Sequence, residues 1–256
     1  MVQEYIERLE TIADLHLNPH SAHLVDRTVQ MYDVDKMISC VQGPRVLELG
    51  YGDGTWTEQL IQRYGVSYVV DASQKLLDQA KHLYGPKIHC FLSLFEEFSP
   101  PKDLFFNTIV ATHVLEHVDD PVFLLRCCKN WLALDGVILI IVPNATSIHR
   151  ELAVMMGIQK SVYDFSPRDI EVGHQRVYDL PLLRSHVQDA GYDILLERGL
   201  FLKTLPNCMM TSFSQDLLKA LIDISDRMPI EWMANLAMLI KPKTFSKISQ
   251  AWHERG

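Results

Sequence analysis

The apolar positions of this chain follow two periods in turn. Over residues 1 to about 41 they recur at helical spacing, as in Leu24, Val25, Thr28, Val29 and Tyr32, and predict two helices separated at Asn18-Pro19. Gly43-Pro44 ends that pattern. Short apolar runs of strand length then take turns with amphipathic stretches. Strands are expected over 45–49, 66–70, 87–92 and 105–111, and helices over 55–64, 73–84 and 121–134. Gly65, Gly85-Pro86 and Asp135-Gly136 supply the stops, and Pro121 sits where a first helical turn tolerates it. The run VILIIV at 137–142 has no polar face and reads as a central parallel strand buried on both sides. A helix over 180–190, a strand over 192–197 and a last strand near 232–240 complete the alternation.

Alternating strands and helices predict an α/β fold built on a parallel sheet. Two tracts lack the alternation, 144–178 and the Phe-, Met- and Leu-rich 199–232. They read as insertions. The expected organisation is a helical cap over 1–42 and one α/β domain over 43–256 carrying both insertions.

Charge narrows the partners. The 24 basic residues are outnumbered by 32 acidic ones, giving a net charge of −8. Binding to a phosphate backbone relies on Lys and Arg, so nucleic acid is not expected as a partner. The N-terminal MVQEYIERLE is acidic and lacks the basic-then-apolar order of a secretory signal. The run 137–142 is far too short to span a bilayer, so no membrane association is expected. Five cysteines without a CxxC pair fit a reducing cytoplasm. A small molecule is the expected partner of a monomer or homodimer.

The chemistry concentrates around VLELGYGDGT at 46–55. Gly50, Gly52 and Gly54 alternate between a predicted strand and a predicted helix. In open α/β sheets this turn is where nucleotide-like ligands bind, against the N–H groups of the helix start. Asp71 follows Gly50 by 21 positions and ends the second strand, where an acid holds a ribose diol. Thr55 stands where a dinucleotide site would have its third glycine. Glu48 would repel a pyrophosphate and would suit an ammonium group.

These residues resemble motif I of the class I S-adenosylmethionine-dependent methyltransferases. So do Asp71-Ala72, Leu94-Phe95-Glu96-Glu97, FFNTIVATHVLEHV at 105–118, and Leu134-Asp135-Gly136 before VILIIVPN. The resemblance covers roughly 45–143. It implies a Rossmann-like, mostly parallel seven-stranded sheet with helices on both faces, and S-adenosylmethionine as cofactor. It implies cofactor contacts from Glu48, Gly50, Gly52, Gly54, Asp71, Ala72, Leu94, Phe95, Glu96 and His113. The relatives meant are small-molecule enzymes, similar to the quinone-biosynthesis group. Transfer to an oxygen is expected first and to a nitrogen second, on a sugar, a cell-surface glycan precursor or a secondary metabolite. A nicotinamide-dependent oxidoreductase and a non-catalytic binder of the cofactor remain alternatives.

Histidine supplies the candidate bases, because imidazole titrates near neutrality. His113, His117, His149 and His174 are the candidates. HxxEH at 113–117 also matches a zinc-peptidase motif, but it directly follows a buried strand where that motif needs a helix. Some relatives carry Glu-x-x-Glu-His here and bind a divalent metal. His113 replaces the first Glu, and no metal ligand is assigned, with a His113, Glu116, His117 and His149 set as the alternative. Asn144, Tyr163, Arg176 and Tyr178 in the first insertion are the candidate acceptor contacts.

Overall fold

The computed structural model describes residues 2–17 and 21–243, so the Asn18-Pro19 break lies outside the described residues. A seven-stranded sheet runs β3-β2-β1-β4-β5-β7-β6. Its strands are β1 Val46–Leu49, β2 Ser67–Asp71, β3 Ile88–Leu92, β4 Phe106–Thr112, β5 Leu132–Pro143, β6 Tyr192–Leu200 and β7 Asn235–Pro242. The first five pair in parallel. β7 runs antiparallel to both β5 and β6. Thus the 137–142 segment is fully buried as expected, but only its β4 side is a parallel pairing. The physical reason is β7, which returns from the second insertion as an antiparallel strand between β5 and β6.

Helices cover the sheet: α1 Val2–Leu17, α2 Ser21–Met37, α3 Thr55–Tyr64, α4 Gln74–Tyr84, α5 Pro121–Lys129 and α8 Leu180–Asp189. In the insertions lie α6 Ile148–Met155, α7 Pro167–Glu171, α9 Asn207–Met210 and α10 Gln215–Ser225. One apolar layer joins the β-sheet to α5 and α8 through Leu124, Leu125, Leu183 and Val187. The other joins it to α2 and α3 through Val29, Tyr32, Trp56 and Leu60. Burial on both faces explains the absence of a polar period in β5.

The helix expected over 121–134 stops five residues early. Trp131 turns inward and packs edge-on against Phe98 at 5.1 Å. Its carbonyl accepts the Phe106 N–H, which starts β5 beside β4 at Leu132. The register then slips before Thr108, where Asp135 takes the left-handed conformation (φ 65°). Leu134, apolar and helical by pattern, is left exposed on this irregular entrance to the strand.

Candidate active site

The sheet order reverses between β1 and β4, and a crevice at the carboxyl ends of these strands is the ligand position of such folds. Gly50 leaves β1 at φ 78° and donates its N–H to the Val70 carbonyl at 2.8 Å. Gly54, at φ 80°, opens α3. A Cβ on Gly54 would come within 2.6 Å of the Tyr51 hydroxyl, whereas one on Gly52 would meet nothing within 4 Å. The loop is therefore tight beneath and open above. Phe95 flanks it, 3.7 Å from where a Gly50 Cβ would stand. Leu94, Glu96 and Ala72 are half-buried on the same side of the fold.

Two acids stand behind the glycines. Asp71 accepts the Tyr51 N–H and the Ser73 N–H, each at 2.8 Å, and so ties the glycine loop to the start of α4. Glu48 is 2% exposed and accepts the Thr57 hydroxyl. Burial pushes its carboxyl up to about 8; Thr57 opposes the shift, and Asp53 and Asp71 add to it. An acid so placed ionises most readily when a cation arrives.

The histidine segment follows β4. His113 adopts φ 56°, a conformation rare for a residue with a side chain, and donates its N–H to Ile141 at 2.8 Å. That turn leads from the strand into the cleft. Its Nδ1 lies 3.4 Å from Oε1 of Glu116. Glu116 is 1% exposed, and neither carboxylate oxygen has a hydrogen-bonding partner. Burial pushes its pKa up, but His113, His117 and His174 outweigh burial and hold it below the ordinary value. His117 is pushed down to about 4, chiefly by burial. His174 packs edge-on against His117, ring centres 4.7 Å apart. Its Nδ1 lies 2.8 Å from Asp169, and its Nε2 lies 3.9 Å from Glu116.

Three of the four candidate histidines thus converge on Glu116. His149 is not among them. It is half-buried on α6 with an unpartnered Nδ1, and burial drives its pKa well down. The metal-binding alternative changes accordingly. Among the described residues, Glu116, His117 and His174 bring ligand atoms within 4.8 Å of one another.

The candidate acceptor contacts are placed as fasteners. Asn144 donates to the Glu231 and Met233 carbonyls and is fully buried. Arg176 donates to the carbonyls of Leu115, Val118 and Asp119. Tyr178 is fully buried beside His186 and the Leu115 carbonyl. Tyr163 is exposed, with its hydroxyl on Asp179 at 2.8 Å. Arg176 and Tyr178 instead hold the 115–119 turn in place.

Sequence reading missed Asp169, Arg150 and Asp33. Asp169 is paired with buried Arg150 and closes a capping box with Ser166. The S-x-x-D spacing at 166–169 was a usable signal. Asp33, on α2, is buried with one oxygen on Asn235 at 2.6 Å and the other unpartnered. Burial pushes it up to about 7, against His113 and Asn235.

A glycine turn after β1 with acids at 48 and 71, at the switch point of this sheet, is the arrangement expected of a class I methyltransferase domain. A methyltransferase-domain family profile matches residues 21–197, and the chain belongs to that family. Ubiquinone biosynthesis O-methyltransferases are among its curated relatives. The bovine mitochondrial one is 29% identical over 140 residues, 52% of this chain and 37% of that protein. One from Rhodopseudomonas palustris is 28% identical over 188 residues, 71% of each. The match spans well under half of the bovine protein and 48% of the Pasteurella multocida one. Among solved structures, a methyltransferase from Archaeoglobus fulgidus superposes with a TM-score of 0.56 at 19% identity, covering 84% of this chain and 94% of that one. The CcbJ methyltransferase from Streptomyces caelestis gives 0.61 at 12%, covering 93% and 98%. These structures share the fold. No helix among the described residues is long and apolar enough to cross a membrane.

Proposed function

We propose that this protein transfers the methyl group of S-adenosylmethionine to a hydroxyl oxygen of a small molecule. Glu48 faces the cofactor's ammonium, the N–H groups of the 50–54 loop its methionine part, Asp71 its ribose, and Phe95 with its neighbours its adenine. The observation that carries the reading is His113. Its backbone is turned into the left-handed region at the end of β4, beside the glycine loop, and its side chain keeps 29% exposure.

The sulfonium methyl is already activated. Held by these residues, the cofactor would supply that methyl to an in-line acceptor oxygen, the sulfur–methyl bond breaking with its electron pair left on sulfur. Alignment of the two partners supplies about 7–11 kcal/mol. His113 takes the hydroxyl proton, worth roughly 10²–10⁴-fold. Glu116 orients His113 and balances the charge it gains. Oxygen is favoured over nitrogen because the similar curated proteins are O-methyltransferases, and the low content of basic residues favours a small acceptor. Sugars, glycan precursors and secondary metabolites are the acceptors to try first.

The test begins with melting curves in S-adenosylhomocysteine, S-adenosylmethionine, NAD and NADP. A ligand at 100 times its Kd stabilises by about 2.7 kcal/mol, roughly 5–10 °C here. A shift with the adenosyl ligands is expected, and one with NAD alone overturns the cofactor assignment. Turnover on acceptor libraries, read as gain of one CH2 by mass, follows. His113→Ala should retain S-adenosylhomocysteine binding and lose about 10²–10⁴-fold in kcat.

A further inference from the structure

Proton transfer at His113 leaves Asp33 unexplained. Asp33 lies on α2 and is 1% exposed. One carboxylate oxygen accepts from the Asn235 amide at 2.6 Å, and the other has no hydrogen-bonding partner. A buried carboxylate short of partners is costly, so it calls for a use.

Its position supplies one. The Gln30 amide, in the orientation that suits its neighbours, donates to both oxygens of Asp53 in the glycine loop, at 3.0 and 3.1 Å. Asp33 follows three residues later on the same helix face. Asn235, which holds it, pairs with Pro143 at the carboxyl end of β5. His113 meets that end of β5 from the β4 side, its N–H on the Ile141 carbonyl at 2.8 Å. The charge of His113 is felt at Asp33. Thus α2 brings Asp33 to the region bounded by the glycine loop and the proposed base.

No cation of the chain serves it. Among the described residues, no Lys or Arg pairs with Asp33. Lys36, one turn further along α2, is taken by Asp226 at 2.6 Å. Tyr32 and Val34 on either side belong to the apolar layer over the sheet. Withdrawn from water in this way, a carboxylate attracts a cation most strongly. A hydroxyl would give it a hydrogen bond and leave its charge uncompensated, whereas an ammonium supplies both. The net charge of −8 also draws cations toward the molecule.

We infer that Asp33 binds a protonated amine of the acceptor, so that the molecule methylated carries an ammonium group near the receiving hydroxyl. The inference rests on the methyl-transfer reading and narrows its acceptor to an amine-bearing alcohol or phenol. The methyl donor's sulfonium is itself positive, and Asp33 offsets its repulsion of such an acceptor.

The experiment uses the full chain saturated with S-adenosylhomocysteine and two matched sets of hydroxyl compounds. One set is tyramine, 4-ethylphenol and 4-hydroxyphenylacetate; the other is glucosamine, glucose and glucuronate. Binding is read by isothermal titration, and turnover with S-adenosylmethionine by gain of one CH2. In at least one set the amine is expected to bind about 10–150-fold tighter than its neutral counterpart, with the acid weakest. Asp33→Asn keeps the side chain's shape and should level the three while binding S-adenosylhomocysteine as the parent does. Because it removes an uncompensated buried charge, it should melt no lower than the parent, which separates lost preference from lost folding. The inference is overturned if neither amine binds tighter than its neutral counterpart, or if Asp33→Asn keeps the preference. It is overturned too if Asp33→Asn weakens S-adenosylmethionine alone, which would give the carboxylate to the sulfonium. Failure of the parent to bind S-adenosylhomocysteine would instead sink the methyl-transfer reading, and this inference with it.

Discussion

Glu48 shows how one residue carries a readable electrostatic signature. Its pKa stands at about 8, raised first by burial. An unfolded glutamate titrates near about 4.3. Between those two values the folded chain holds a proton that the unfolded chain has released, so this residue's contribution to stability falls as pH rises across that window. Glu48→Gln should flatten the decline, seen as a melting temperature that changes less from pH 5 to pH 8. On the proposed reading, an arriving ammonium would expel the same proton. Affinity for S-adenosylmethionine should therefore rise with pH toward about 8, at most about tenfold per unit, and Glu48→Gln should bind weakly with no such slope. A variant that kept the parent's affinity and slope would remove Glu48 from the site. Asp71 makes a companion case. Its two oxygens hold Tyr51 and Ser73, so Asp71→Ala removes two charge-assisted acceptors as well as the proposed ribose contact. At about 1.5–3 kcal/mol for such a bond, isothermal titration should show a loss of roughly 10–150-fold. Both acids stand out in the sequence because they flank a local glycine motif. Asp33 was not, since the Asn235 that holds it lies 202 positions away and nothing in its own helix marks it.

At the scale of elements, turns with chemical punctuation were legible and irregular pairings were not. The strand–glycine–helix unit at 46–64 reads directly from VLELGYGDGT, because its turn needs left-handed residues that only glycine supplies cheaply. The end of α5 did not, because its apolar period runs on smoothly into β5 and only the packing of Trp131 decides where one stops. The insertion's α6 and α7 were equally hidden, since their apolar residues include exposed Met155 and Ile170, which give no core-facing stripe. The glycine unit separates fold from function in a pair of variants. Gly52→Ala puts a side chain at φ 55° into open space, a strain of about 1–2 kcal/mol. Gly54→Ala adds to similar strain a 2.6 Å approach to the Tyr51 hydroxyl. Gly54→Ala should therefore melt lower than Gly52→Ala, by a few degrees for each additional kcal/mol. Gly52→Ala should keep most of its stability yet lose affinity for S-adenosylhomocysteine, because its Cβ enters the open side of the loop, the side proposed for the cofactor. Unchanged affinity in Gly52→Ala would mean that the open side of the loop is not where the ligand lies.

Across the whole molecule, α1 joins parts that the sequence kept separate. Its pattern predicted a helical cap, with no indication of the surface it covers. Glu10 accepts from the Ser73 hydroxyl and the Gln74 N–H, both at 2.8 Å, at the turn that follows Asp71. Asp14 pairs with Lys75, and Ala13 packs in one cluster with Tyr51 of the glycine loop. On its other side Ile12 and Arg8 crowd Gly173, the residue before His174, at 3.1 and 3.2 Å from a Cβ placed there. One helix thus touches the glycine loop, the turn after Asp71 and the segment that carries His174. The sheet has its own cores on both faces, so loss of this strap is expected to act on the proposed ligand site more than on the sheet. Two hydrogen bonds of about 0.5–1.5 kcal/mol each correspond to roughly 5–150-fold in a rate or equilibrium constant. A chain lacking residues 1–17 should release S-adenosylhomocysteine faster by a factor in that range, measured by stopped-flow displacement, while its far-UV circular dichroism loses only the signal of one helix. An unchanged dissociation rate would reduce α1 to packing. A faster rate that Glu10→Ala alone reproduces would assign the strap's hold to the turn after Asp71 rather than to the contact at Gly173.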